Sequence, residues 1–140
     1  MIPLTAYVQA LDHKCQFKLT NSGAVKMEGV IPASVADAIR LHSEAIRELV
    51  RFPMIIVRSS LFEDNRTYYW VPGDTQKHHL IKLGAEPGLV FTRSELAALV
   101  SAAKRGDDVK TLIELKQMFQ GTVLNESSEG NERPRKPIPN

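Results

Sequence analysis

The chain has 140 residues, a formal net charge of +2, 43% hydrophobic residues and 24% charged residues. That is enough for one core or two small lobes of ordinary globular composition. The charge is spread evenly: residues 1–51 carry six Lys/Arg and five Asp/Glu, residues 52–125 nine and eight, and residues 126–140 three and three. No segment has the basic excess of a polynucleotide binder, so a basic site must come from placement. One cysteine, Cys15, excludes an internal disulfide and fits a reducing compartment. No apolar run approaches the roughly 20 residues of a membrane span, and the first residues lack a signal-peptide pattern, so a cytoplasmic location is expected.

In chain order, "PLTAYVQALDHK" puts Leu4, Tyr7, Val8 and Leu11 at helical spacing. "CQFKLTNSGAVKMEG" reads as two strands folded back on each other. Asn21-Ser22-Gly23 fits a three-residue loop with Gly23 in the left-handed conformation. Thr20 then opposes Ala24, Leu19 opposes Val25, Lys18 opposes Lys26 and Phe17 opposes Met27. This register gathers Phe17, Leu19, Val25 and Met27 on one face. A two-residue Ser-Gly loop would set Leu19 against Lys26 and break the pattern, and a two-residue slip with Leu19 opposite Gly23 keeps the faces but wastes the loop glycine. On the other face Lys18 and Lys26 meet. Like charges so placed are unfavourable, and an anionic partner would relieve them. Otherwise both ammonium groups splay into water, with Glu28 as a nearby counter-charge.

"IPASVADAIRLHSEAIRELVRF" places Val35, Ile39, His42, Ile46, Leu49 and Val50 on one stripe, with Pro32 in the first turn. Ser43 is a candidate cap, so two short helices with a bend are expected. His42, on the stripe, reads as a core or interface histidine. Pro53 stops helix, and Met54–Val57 is a continuous apolar run suited to a central strand. "LFEDNRT" reads as a turn and "YYWV" as a second strand ended by Pro72-Gly73. Asp74 caps the helix "TQKHHLIKL", which Gly84 terminates. "GLVF" is a third strand, and Thr92 with Glu95 forms a capping box opening a helix that Gly106 closes. "DDVKTLIELKQMF" is a further helix, and "GTVLN" a fourth, edge strand. From Glu126 the sequence has no apolar period and three prolines, the composition of a flexible tail.

Chemistry is sparse. His78-His79 point about 100° apart on a helix, so one metal cannot easily take both; a surface histidine beside a partly buried one is expected. No HExxH or CxxC pattern, G-x-S-x-G elbow or phosphate loop occurs. Ser59-Ser60 ends a strand without that elbow, Glu63-Asp64 reads as turn polarity, and Cys15 as a small buried hydrophobe. No enzyme activity and no cofactor is expected. "RTYYWV" alternates its aromatics, so Tyr69 projects away from Tyr68 and Trp70. With Arg58 and Arg66 beside it, an exposed Tyr69 would be a candidate base-stacking contact for nucleic acid. The plainer reading keeps Tyr68 and Trp70 in the core and Tyr69 as a surface strand residue.

The helix, the hairpin and "PASVADAIRLHSEAIRELV" together resemble the N-terminal docking domains of the tubulysin-synthetase (TubC) type, small modules at the head of nonribosomal peptide and polyketide synthetase chains. The resemblance covers residues 1–50. It implies an αββαα module, often dimeric, whose hairpin receives a short acidic segment of a partner protein. The matching basic positions are Lys18 and Lys26, with Arg40 and Arg47 on the following helices. Residues 52–125 follow rather than a large catalytic domain, so use as an adaptor is expected.

The expectation is therefore an α+β chain. Residues 1–51 form an αββαα docking-like lobe, residues 52–125 a small mixed lobe of order ββαβααβ, and residues 126–140 a disordered tail. Lobes of ~50 and ~75 residues are marginal alone, which favours mutual packing or a homodimer. The functional expectation is a non-catalytic docking module. The alternatives are a nucleic-acid-associated accessory protein and an inhibitor of a host complex encoded by a phage or other bacterial mobile element.

Overall fold

A computed structural model describes residues 1–59, 66–106 and 109–125. The chain is α+β and divides into two compact units. The first takes Met1–Phe52 together with Lys82–Ala85; the second takes Pro53–Ile81 and the chain from Glu86 onward. The four residues Lys82–Ala85 are a difference from the division at residue 51 expected from sequence. The last residue of a helix and the turn that follows it carry no pattern saying which core they will join.

The first unit runs α1 (Pro3–Asp12), β1 (Gln16–Leu19), β2 (Val25–Glu28), α2 (Ala33–Leu41) and α3 (Ser43–Arg51). Helix α1 buries Leu4, Ala6, Tyr7, Val8 and Ala10. It packs against α2 and α3, and α3 packs against both strands of the hairpin. The Tyr7 and Phe17 rings lie 5.0 Å apart, which ties the apolar face of the hairpin to α1. The two short helices α2 and α3 meet at His42, whose backbone (φ −109°, ψ 39°) leaves helical geometry for one residue. That bend lets Val35, Ala38 and Ile39 before it, and Ile46 and Leu49 after it, all face inward. Two details shift by one position. Pro32 is the N-cap rather than a first-turn residue, and His42 rather than Ser43 stands at the N-cap of α3.

The second unit is a four-stranded sheet of order β5-β4-β3-β6, built from β3 (Ile55–Ser59), β4 (Arg66–Val71), β5 (Val90–Thr92) and β6 (Thr122–Val123). Strands β3 and β4 are antiparallel, β6 joins β3 antiparallel, and β5 joins β4 parallel through helix α4 (Asp74–Lys82). Helices α5 (Arg93–Arg105) and α6 (Val109–Phe119) complete it. The apolar run ending in Val57 occupies the central strand, and the "GTVLN" segment is the edge.

One face of the sheet holds a core of Val57, Tyr68 and Met118, flanked by Leu96 and Leu99 of α5 and Leu115 of α6. Inside it the Tyr68 hydroxyl donates to Gln117 Oε1 at 2.8 Å, so each buried polar group satisfies the other. Strand β6 is only two residues long, yet its pairing continues beyond them. Leu124 N–H donates to the Ile56 carbonyl at 2.8 Å, and Ile56 N–H donates to Asn125 Oδ1 at 2.6 Å. The Asn125 side chain thus acts as one more peptide unit of the edge strand.

Helix α5 opens with a complete capping box: Glu95 N–H donates to Thr92 Oγ1 at 3.1 Å and Thr92 N–H donates to Glu95 Oε1 at 2.9 Å. Lys77 of α4 adds an ion pair to the same carboxylate at 2.9 Å. Burial alone would raise the Glu95 carboxyl. The Thr92 backbone N–H, the hydrogen bond and charge of Lys77 and the Thr92 side chain outweigh it, holding the group below its usual 4.5. A depressed folded value contributes stability that is present above the unfolded value and lost as pH falls through the folded one. Glu95→Gln should therefore be less stable than wild type at neutral pH. In denaturant titrations its deficit should shrink as pH drops below 4.5.

Candidate functional site

The hairpin adopts the register expected from its apolar pattern: Gln16 opposite Glu28, Phe17 opposite Met27, Lys18 opposite Lys26 and Leu19 opposite Val25. The loop is closed from both sides. Thr20 N–H donates to the Ala24 carbonyl at 2.8 Å, Gly23 N–H donates to the Thr20 carbonyl at 2.9 Å, and Ala24 N–H donates to Thr20 Oγ1 at 3.1 Å. Gly23 has φ +87°, the conformation the three-residue loop demands.

Alternation then sorts the side chains. Phe17, Val25 and Met27 are half-buried toward the helices, with Leu19 emerging near the tip. Gln16, Lys18, Lys26 and Glu28 share the opposite, exposed face. Lys26 Nζ lies 3.9 Å from Glu28 Oε2, a loose pair whose side chains are 65% and 50% exposed and which water screens strongly. Among the described residues Lys18 has no ion-pair partner. The outer face therefore carries one loosely paired ammonium and one unpaired one directly across from it. The ribbon is a two-stranded sheet in which each strand pairs only with the other, among the described residues. Its outer backbone edges are of the kind that accept an added strand.

The other basic positions contribute less. Arg40 Nη1 donates to Asp37 Oδ1 at 2.8 Å along α2, so its charge is already engaged. The i, i+3 spacing of the two residues was a readable signal. Arg47 is on the exposed side of α3, away from buried Ile46.

The aromatic strand corrects the alternative site. Tyr69 is 7% exposed, so it presents no ring face on which a base could stack. Its neighbour Tyr68 is fully buried, and Trp70 is half-buried with its ring 5.3 Å from Phe119 in an edge-on arrangement. Arg58 is half-buried on β3, and only Arg66 of the proposed trio is exposed. Ile56, Tyr69 and Val71, which alternate with the Val57–Tyr68 core face, are all buried. This sheet is covered on both sides, which the alternation alone did not reveal.

The remaining candidates separate. His78 and His79 are both exposed, where one was expected to be partly buried; His42 is half-buried at the α2–α3 bend. Cys15 is buried, and Ser59 is 1% exposed and so out of reach of any substrate. Ser60, Glu63, Asp64 and the segment from Glu126 lie outside the described residues. Among the described residues no three His, Cys, Asp or Glu side chains come together as a metal site, and no helix is long and apolar enough to cross a membrane. The arrangement is that of an α+β chain with an exposed, open-edged β-ribbon. Comparison with protein-family models, with curated proteins and with solved structures returned no match.

Proposed function

We propose that the first unit is a non-catalytic docking module that takes a short acidic segment of a partner protein along the β1–β2 hairpin. The observation that carries this reading is the cross-strand opposition of Lys18 and Lys26 on the exposed face of a ribbon with unpaired edges. A juxtaposition that is unfavourable in the free protein becomes favourable when carboxylates lie across it. An extended segment would add backbone hydrogen bonds to one edge, while its alternate side chains meet the lysines. Glu28 would be displaced as the partner of Lys26 by a better-placed carboxylate. The resemblance of residues 1–50 to synthetase docking domains points to the same use.

Exposed ion pairs are individually weak, typically below ~1 kcal/mol, so affinity should be roughly micromolar and strongly salt-dependent. Fluorescence anisotropy with a labelled alternating Glu-Val peptide, against a Gln-Val control, tests the reading. The Glu-Val peptide should bind at low salt and be released at high salt. The Lys18→Glu/Lys26→Glu protein should bind it about tenfold or more weakly. Equal binding of the two peptides, or no loss in the double variant, would sink the proposal.

A further inference from the structure

The hydrogen bonds that close the hairpin loop also decide which backbone groups of the ribbon face outward. Thr20 N–H donates to the Ala24 carbonyl at 2.8 Å, so these two residues form a hydrogen-bonded pair. In an antiparallel ladder such pairs alternate with non-hydrogen-bonded ones. Counting back along the register, Lys18–Lys26 and Gln16–Glu28 are hydrogen-bonded pairs, whereas Leu19–Val25 and Phe17–Met27 are not. The N–H and C=O groups of Phe17 and Leu19 therefore point out from the β1 edge, and those of Val25 and Met27 from the β2 edge. Among the described residues neither edge pairs with a further strand. The two edges differ in what flanks them. On β1 the exposed face carries Gln16 and Lys18, with no acid, and the helix-facing side ends in Leu19, which is 41% exposed. On β2 the exposed face carries Lys26 and Glu28, and the Glu28 carboxylate, 3.9 Å from the Lys26 ammonium, would repel an incoming one.

Building on the docking reading above, on which it rests, we infer that the partner segment adds to the β1 edge as an antiparallel third strand, with one acidic residue between two apolar ones. The two apolar residues exchange backbone hydrogen bonds with Phe17 and Leu19, the only β1 residues whose backbone groups face that way. Their side chains lie on the helix-facing side and cover the exposed part of Leu19. The acidic residue falls opposite Lys18 in a non-hydrogen-bonded pair, the closer of the two kinds at about 4.5 Å between Cα atoms. Its carboxylate then meets the ammonium group that has no ion-pair partner among the described residues. The ligand is thus an apolar–acidic–apolar strand rather than a run of acids. A carboxylate in either flanking position would be turned toward Phe17 and Leu19, where nothing pairs with it.

Amide hydrogen exchange followed by NMR on the full chain, with the alternating Glu-Val peptide as probe, is the test. With peptide at about ten times its Kd, the Phe17 and Leu19 N–H groups should exchange about tenfold more slowly, because only the free fraction exchanges. Val25 and Met27 should be unchanged. Backbone methylation of the peptide gives a second readout. Methylating the valine nitrogens, which face β1, should weaken binding about tenfold or more, whereas methylating the glutamate nitrogens, which face water, should change it less than about twofold. Lys18→Gln should weaken binding about fivefold and Lys26→Gln less than about twofold. Slowed exchange at Val25 and Met27, or at none of the four, would overturn the inference and leave the docking reading standing. So would loss of binding on methylating the glutamate nitrogens, or equal losses in the two lysine variants. A Glu-Val peptide that binds no better than Gln-Val would remove both, and the anisotropy comparison identifies that case.

Discussion

Gly29→Ala is expected to lower the thermal midpoint of unfolding by on the order of 10 °C, corresponding to about 2–4 kcal/mol. Gly29 ends the second strand with φ +135°, where an L side chain is strained. The space is also taken: a Cβ there would lie 2.7 Å from Cys15 Sγ and 3.0 Å from Cys15 Cα. The sulfur could shift, but the backbone carbon opens the first strand and cannot move without opening the base of the ribbon. Gly23→Ala is the control. It has φ +87° but nothing within 4 Å of the added carbon, so only the conformational cost of about 1 kcal/mol should appear. Equal losses at the two glycines would show that the Cys15 contact is unimportant. Because the ribbon carries Lys18 and Lys26, Gly29→Ala should weaken acidic-peptide binding without touching either lysine.

Gly121→Val should cost about 3 kcal/mol and strip β6 from the sheet. A Cβ at this position would sit 2.6 Å from the Arg58 carbonyl oxygen and 2.6 Å from Val57 Cγ1, one backbone and one core atom. Overpacking of this kind costs about 1–3 kcal/mol, and each Ile56 hydrogen bond lost with β6 adds about 1 kcal/mol. Asn125→Ala isolates the second part. It leaves the edge strand in place but removes the acceptor of the Ile56 N–H, a residue with no exposed surface, and should cost about 1–2 kcal/mol. Amide hydrogen exchange provides the local readout. Ile56 should lose protection in both variants and Tyr68, paired to β3 from the other side, in neither. Unchanged protection of Ile56 in Asn125→Ala would refute the strand-extending role of that side chain.

Much of the local architecture could be read from residue order because the relevant physics is local. Alternation leaves only registers of one parity, and the loop glycine at Gly23 selects among them, so the hairpin register, and with it the Lys18–Lys26 opposition, follows from pattern and turn chemistry together. The capping box at Thr92 and Glu95 is a matter of three-residue spacing, and the break between α2 and α3 was signalled by a capping residue inside the stripe, Ser43, one position after the N-cap His42. The candidate site was legible in its geometry and less so in its electrostatics. Glu28 stands at a distance set by two flexible side chains, and Arg40 is already held by Asp37.

Other features required coordinates. Alternation says that Tyr69 and Tyr68 face opposite ways; it does not say that both directions end in protein. Helical periodicity collects Val109, Leu112 and Ile113 on one side of α6, where all three are exposed, and the same signal would ordinarily be taken for the buried side. The tight fit of Gly29 against Cys15, and of Gly121 against β3, involves residues whose approach no spacing rule encodes.

Sequence by itself determined the order of elements, the register of the amino-terminal ribbon and the opposition of its two lysines, because these depend on period, turn chemistry and capping within a few residues. Tertiary structure alone decided which faces are covered: Tyr69 inward, Val109, Leu112 and Ile113 of α6 outward, Lys82–Ala85 with the first unit. A periodic pattern defines faces relative to one another, whereas burial depends on what the rest of the chain lays against them.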